Sequence, residues 1–333
     1  MNKEFLDLAE QLKSSVSCTV RLNELMSGHT SFKIGGPADI LVLPESIEQL
    51  REVLKVVKET VVPLTLLGNG SNVLVRDKGI RGIVIKLGNM LRHFYEAEDL
   101  LVFGSGYSLA LASYKAMECG KTGMEFAVGI PGSIGGAVYM NAGAYDGEMQ
   151  NIVNCVKVMD LQGNERVLTA EELNFGYRKT SLQNSGLIVT EVTLKMPSGD
   201  KDEIKSKMDD FSHRRISKQP LEMPSAGSMF KRPPGYFAGT LIDQAGLKGY
   251  TVGGAQISTK HAGFVVNVGG ATAADVLQLI KDVQTKIKAG VGVELQPEVL
   301  VIGEELLTPK APIFDIGAFL LSQNVQLKSV GTL

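Results

Sequence analysis

Three short segments of this 333-residue chain carry side chains able to do acid–base and anion-gripping chemistry. Tyr177-Arg178-Lys179-Thr180-Ser181 sets an arginine in a short loop ahead of a strand. Ser225-Ala226-Gly227-Ser228, continuing to Pro233, presents a serine in an irregular stretch of small residues. Gln296-Pro297-Glu298-Val299 places a carboxyl at the start of an apolar strand, where burial without a partner is costly. Each also fits a bland role as turn residue, surface ion pair or edge acid, and spacing alone does not bring them together. The four histidines (His29, His93, His213, His261) lack metal spacing, and no cysteine partner is near, so no metal is expected. No Gly-x-Ser-x-Gly elbow joins a plausible Asp and His order, which argues against a hydrolase triad.

Glycine is enriched, at 37 residues, and it clusters. The clusters are Lys33-Ile34-Gly35-Gly36-Pro37, then Leu67-Gly68-Asn69-Gly70-Ser71-Asn72, then Gly129-Ile130-Pro131-Gly132-Ser133-Ile134-Gly135-Gly136-Ala137. The last runs on to Asn141-Ala142-Gly143-Ala144-Tyr145. Backbone N–H groups in such turns converge on phosphate oxygens because no Cβ blocks the approach. None is a dinucleotide fingerprint: Gly68-x-Gly70 has Val73 where a third glycine belongs, and Gly104-x-Gly106 has Leu109. No phosphate-loop Gly-x-x-x-x-Gly-Lys-Ser/Thr occurs either. Singly each cluster reads as a structural turn or a ligand loop; together they point to a pyrophosphate-bearing ligand of unspecified kind.

Strand-like runs must position these segments: Ala38–Leu43, Val62–Leu67, Gly82–Leu87, Leu100–Phe103, Val153–Met159 and Leu187–Met196. Ser46-Ile-Glu-Gln49 reads as a capping box opening a helix with Ile47, Leu50, Leu54 and Val57 on one face. Ser108 caps a second helix ending near Gly120, Asp202–Lys218 forms a charged third, and Thr272–Asp275 caps a periodic fourth ending at Gly290. Residues 220–235 read as loop, with strands expected at Gly263–Val268 and Glu298–Ile302. The pattern is α+β rather than regular βαβ alternation, with a composition shift near residue 200.

The balance of 34 Lys+Arg against 36 Asp+Glu argues against nucleic acid as the main partner. Hydrophobic residues at 44% and charged residues at 21% describe a globular chain rather than a disordered one. Cys18, Cys119 and Cys155 lie far apart, which predicts reduced, mostly buried thiols. No apolar run reaches the roughly 20 residues of a membrane span, and the acids in the amphipathic N-terminal segment are unlike a signal peptide. A cytoplasmic location is therefore expected, without membrane partners.

In combination these segments resemble one family, the UDP-N-acetylenolpyruvoylglucosamine reductases of peptidoglycan synthesis. The resemblance runs from about Leu22 to Ile302 and rests on Asn23–Ala38, Leu67–Asn72, Gly129–Tyr145, Tyr177-Arg178, Gly227-Ser228 with Phe230-Lys231, and Pro297-Glu298-Val299. It implies a two-lobed FAD-binding fold of the vanillyl-alcohol-oxidase type, residues 1–88 and 89–200. A smaller α+β substrate domain, 201–303, would follow, and then an extension of unassigned role, 304–333. The absence of an insertion after Tyr177-Arg178 fits the shorter, type II members. The implied cofactor contacts are Ile34, Gly35, Gly36, Gly68, Asn69, Gly70, Ser71, Asn72, Gly129, Pro131, Gly132, Ser133, Gly135, Gly136, Asn141 and Gly143.

By the same resemblance, hydride passes from NADPH to FAD and on to the enolpyruvyl C3 of UDP-N-acetylglucosamine enolpyruvate. Ser228 then matches the proton donor to C2, with Arg178 and Glu298 beside the substrate carboxylate. A serine is a weak acid, but an enolate is basic enough to take its proton. The part played by Glu298 stays open, since a carboxylate beside a developing anion helps only if protonated or bonded to a donor. Tyr177, Lys218, Lys231, Arg232 and Gln256 are the implied substrate contacts, the cations serving the UDP or NADPH phosphates. Arg232 departs from the family's usual Phe-Lys-Asn-Pro, which removes any contact an amide would make. A monomer is expected. The alternatives are another flavin oxidase of this fold, which needs no proton donor, and a non-catalytic flavin or nucleotide-sugar binder, which would have lost the site residues.

Overall fold

Residues 3–60, 62–88 and 91–305 are described by a computed structural model of the chain. The expected extension lies outside them apart from Glu304 and Glu305. Helix α1 (Lys3–Ser15) and strands β1 (Thr19–Leu25) and β2 (Pro37–Leu43) open the first unit, followed by α2 (Ile47–Lys58), β3 (Leu64–Leu67), β4 (Val73–Val75) and β5 (Ile80–Lys86). Its sheet runs β1-β2-β5-β3, with β2 and β3 both parallel to β5. The apolar run in β2 is buried on both faces. Ile40 and Val42 join Ile83 and Ile85 of β5 under α1 and α2, while Ala38 and Leu41 join Val84 on the other side. This is why it reads as continuous rather than alternating. Ser46 caps α2 by accepting the Gln49 N–H, but Gln49 Oε1 accepts from Glu45 N–H, one residue before the position a reciprocal box requires.

The second unit holds β6 (Phe94–Ala97), β7 (Leu100–Gly104), α3 (Leu109–Glu118), α4 (Ile134–Tyr139) and the short pair β8 (Gly143–Ala144) and β9 (Gly147–Glu148). Strands β10 (Val153–Met159), β11 (Glu165–Thr169) and β12 (Ile188–Lys195) complete an antiparallel sheet of order β11-β10-β12-β7-β6. Helix α5 (Lys201–Lys218) follows. The composition shift assigned it to the third unit, but its apolar stripe of Ile204, Met208 and Phe211 packs against Val128 and Met117 of the second.

Strands β13 (Ser225–Ser228), β14 (Thr251–Val252), β15 (Ala255–Ile257) and β16 (Phe264–Asn267) form the third sheet, with α6 (Ala238–Gln244) and α7 (Ala273–Val291) packed on it. Strand β13 lies inside the stretch expected to be loop. Thr272 and Asp275 make a complete capping box on α7, which ends at Gly292 with φ 72° rather than at Gly290. Two ties hold this unit to the first. Strand β17 (Leu300–Ile302) pairs in parallel with β4, and the Asp77 carboxylate accepts the N–H groups of Ala273 and Ala274 at the start of α7. The cysteines are free, as expected, and half-buried where mostly buried thiols were expected.

Candidate active site

Ser228 is aimed by a defect in its strand. Between Ser225 and Ser228 the register against β16 slips, so three steps of β13 face two from Val266 to Phe264. Gly227, at φ 79°, absorbs the turn that such a bulge requires. The next residues stitch the third segment alongside: Glu298 N–H donates to Met229 O at 2.9 Å, and Lys231 N–H to Gln296 O at 2.8 Å. From the other side Leu300 N–H reaches Asn72 O at 3.0 Å and Asn72 Nδ2 reaches Glu298 O at 3.4 Å. Glu298 therefore sits between the serine strand and the first unit's glycine loop.

Arg178 comes from the second unit, at left-handed φ 56° in a tight turn closed by mutual bonds of Gly176 and Lys179. Its Nε donates to Glu298 Oε1 at 2.8 Å, and its Nη groups to the carbonyls of Asn141 and Gly143 at 3.4 and 3.2 Å. Both side chains are largely shielded, at 17% and 14% exposure. Three donors so committed leave two of the guanidinium's five for a ligand. Asn141, fully buried, is scaffold: its Nδ2 holds Glu148 and the Gly176 carbonyl, fixing the turn that carries Arg178.

Arg178, Ser228, Glu298 and His261 line both of two adjoining cavities, of about 890 and about 400 Å³. The larger runs between Gly68–Asn72 of the first unit and Gly129–Ser133 of the second, and Gly135, Gly136 and Gly143 also line it. Ile34, Gly35 and Gly36 do not. Ile34 is buried in the third unit's core, and a Cβ on Gly36 would fall 2.0 Å from Asp77 O, so that cluster is packed backbone.

The walls of the large cavity suit a pyrophosphate-bearing cofactor. The backbone N–H groups of Asn69, Gly70, Ser71 and Asn72, and those of Gly132 and Ser133, donate to no acceptor among the described residues. Arg215 is 8% exposed, and among the described residues its Nε and Nη2 are buried without a hydrogen-bond partner, while Nη1 donates to Gln219 Oε1 at 3.2 Å. Burial pulls its pKa below the ordinary guanidinium value. A desolvated cation without a counter-ion is unstable until an anion arrives. The sequence held a signal for it: Ile204, Met208, Phe211 and Arg215 follow one helical stripe, so an arginine occupies a buried position.

The smaller cavity carries Arg232, Lys248 and Lys260 with Arg178, against Asp243 and Glu298. Tyr177 is at its rim, accepting the Arg232 N–H at 3.1 Å, while the Arg232 guanidinium lies 4.0 Å from the Phe237 ring centre. Three expected contacts are not brought there. Lys218 is exposed on α5, Lys231 lines neither cavity, and Gln256 bonds Thr251 across the β14–β15 hairpin. Sequence reasoning missed Lys248, Lys260 and His261, which no motif singled out. Among the described residues no His/Cys/Asp/Glu cluster could hold a metal, and no helix is long and apolar enough to cross a membrane.

Two lobes facing each other across a cavity of anion-seeking backbone, closed by a third domain with polar side chains, define a flavoprotein of the two-lobed FAD-binding type. Residues 38–169 match the family model of an FAD binding domain, and 219–302 that of the UDP-N-acetylenolpyruvoylglucosamine reductase C-terminal domain. The UDP-N-acetylenolpyruvoylglucosamine reductase of Clostridium perfringens (strain SM101 / Type A) is 50% identical over 302 residues, 91% of this chain and 98% of that one. That of Clostridioides difficile (strain 630) is 49% identical over 286 residues, covering 86% and 94%. The crystal structure of the Thermus caldophilus enzyme superposes with a TM-score of 0.72 at 38% identity, covering 85% and 98%. The chain belongs to the UDP-N-acetylenolpyruvoylglucosamine reductase family. It is an FAD-dependent, NADPH-consuming oxidoreductase, and its reaction is the one that names the family.

Proposed function

We propose that Ser228, Arg178 and Glu298 divide the reduction of the enolpyruvyl ether among three tasks. Bound FAD would supply the redox chemistry, carrying hydride from NADPH to enolpyruvyl C3. The two free Arg178 donors grip the substrate carboxylate, across which negative charge spreads from C2 as the C2–C3 double bond is lost. Ser228 Oγ gives its proton to C2, forming the new C–H bond, and is reprotonated from solvent. Among the described residues its one hydrogen bond is a long 3.3 Å contact to Phe230 O, which leaves the hydrogen easily redirected to substrate. Glu298 orients the guanidinium, a role supported by its carboxylate accepting from a donor, Arg178 Nε.

The large cavity holds the flavin by the Gly68–Asn72 and Gly129–Ser133 loops and Arg215. The smaller takes the UDP diphosphate, its four cations exceeding its two carboxylates by the diphosphate's charge. NADPH and nucleotide-activated sugars, with three free thiols, fit a cytoplasmic place in peptidoglycan precursor synthesis.

The convergence of Arg178, Ser228 and Glu298 at the junction carries this reading. Anaerobic stopped-flow tests it. Flavin reduced by NADPH should reoxidise on adding UDP-N-acetylenolpyruvoylglucosamine, and Ser228→Ala should slow that step by about 10²–10³ while reduction by NADPH stays near normal. Equal loss in both half-reactions, or reoxidation by oxygen alone at a comparable rate, contradicts it.

A further inference from the structure

His261 lies on the turn between β15 and β16, beside the serine strand: Phe264 pairs with Ser228, and Met229 N–H donates to Gly263 O at 2.8 Å. Its ring is half-buried, set edge-on to Phe264 at 5.1 Å, and it lines both cavities. Nδ1 is turned back into the turn, where it accepts the Gly263 N–H at 3.0 Å. Accepting there requires an unprotonated Nδ1, so the proton of the neutral ring resides on Nε2. Nε2 has no partner among the described residues. Burial, with Lys248 and Lys218 close by, outweighs a backbone hydrogen bond and the Asp243 carboxylate, pushes the pKa of His261 down and keeps the ring neutral. A neutral donor, fixed in direction among cations, suits an anionic oxygen.

We propose that His261 Nε2–H donates to a diphosphate oxygen of the bound nucleotide sugar, registering the substrate between the two cavities. This rests on the reading above, that the smaller cavity takes the UDP portion.

Steady-state kinetics of the flavin-loaded enzyme test it, with UDP as a competing probe. His261→Asn keeps an acceptor near Nδ1 but withdraws the donor. It should raise KM for UDP-N-acetylenolpyruvoylglucosamine and Ki for UDP together, by about tenfold to a hundredfold, with kcat within about threefold. His261→Gln, which returns an N–H near Nε2, should recover most of both. Unchanged constants in His261→Asn, a raised KM with UDP inhibition unaltered, or equal damage in both variants overturns the assignment. Were His261→Asn not to fold, ¹⁵N-histidine NMR of the native enzyme decides. With four histidines in the chain, a protonated Nε2 that shifts on adding UDP supports the inference, and an Nδ1–H tautomer or no shift sinks it. A native enzyme that ignores the nucleotide sugar would instead refute the underlying reading.

Discussion

Replacing Arg215 with methionine should strengthen the flavin-free protein and cripple the flavin-loaded one. Two guanidinium nitrogens are buried without partners, at about 1–3 kcal/mol each. Against the relief of that penalty stand the Gln219 bond, about 1 kcal/mol, and the cation lying 5.7 Å from the Tyr145 ring centre, about another 1 kcal/mol. Methionine keeps much of the volume, so the stripped variant should gain about 2 kcal/mol and melt about 3 °C higher. Flavin affinity should move the other way. One or two charge-assisted bonds to phosphate at about 1.5–3 kcal/mol each amount to a loss of roughly tenfold to 10⁴-fold. Thermal melts of the stripped protein and fluorescence titration with FAD read the two effects separately. A stripped variant that melts lower and binds FAD as tightly as the native chain would refute the idea that Arg215 awaits an anion.

Glu298→Gln removes the charge that holds Arg178. With the pair partly shielded, kcat should fall about tenfold to a hundredfold, and a double-mutant cycle with Arg178→Ala should be strongly non-additive. Gly227→Ala meets no atom within 4 Å, so its cost is the left-handed backbone alone, about 1–2 kcal/mol in a denaturant melt, with a larger loss in turnover because Ser228 is re-aimed. Burial and the Glu96 carboxylate push the Cys119 thiol up to about 11. The folded form therefore favours the thiol, a preference present below the unfolded pKa and lost as pH rises through 11. Iodoacetamide labelling of native Cys119 at pH 8 should be far slower than in denaturant.

Legibility followed the locality of the signal. Val153–Met159 was readable to the residue because its apolar content and flanking breaks specify a strand. The Thr272 cap was equally plain, since both halves of the box lie within four residues. Strand β13 was hidden: Ser-Ala-Gly-Ser has poor strand propensity, and the segment is extended only because β16 pairs with it and Ser31 Oγ holds Ser225 O at 2.7 Å. The Ile34–Gly36 cluster misled because glycine marks close approach without saying to what, and here the neighbour is Asp77 and Val75 backbone and side chain. Lys248, Lys260 and His261 are brought to the cavity by tertiary packing, which no short spacing encodes. The three side chains of the proposed mechanism span 120 residues between Arg178 and Glu298, and only resemblance, not periodicity, paired them.

A crystal structure of the chain with FAD and UDP-N-acetylenolpyruvoylglucosamine bound is the sharpest test. Ser228 Oγ should face enolpyruvyl C2 on the side opposite the flavin ring, with Arg178 on the substrate carboxylate. A nucleotide sugar seated with its enolpyruvyl group turned away from Ser228, or a flavin lodged outside the cavity between the glycine loops, would contradict the account.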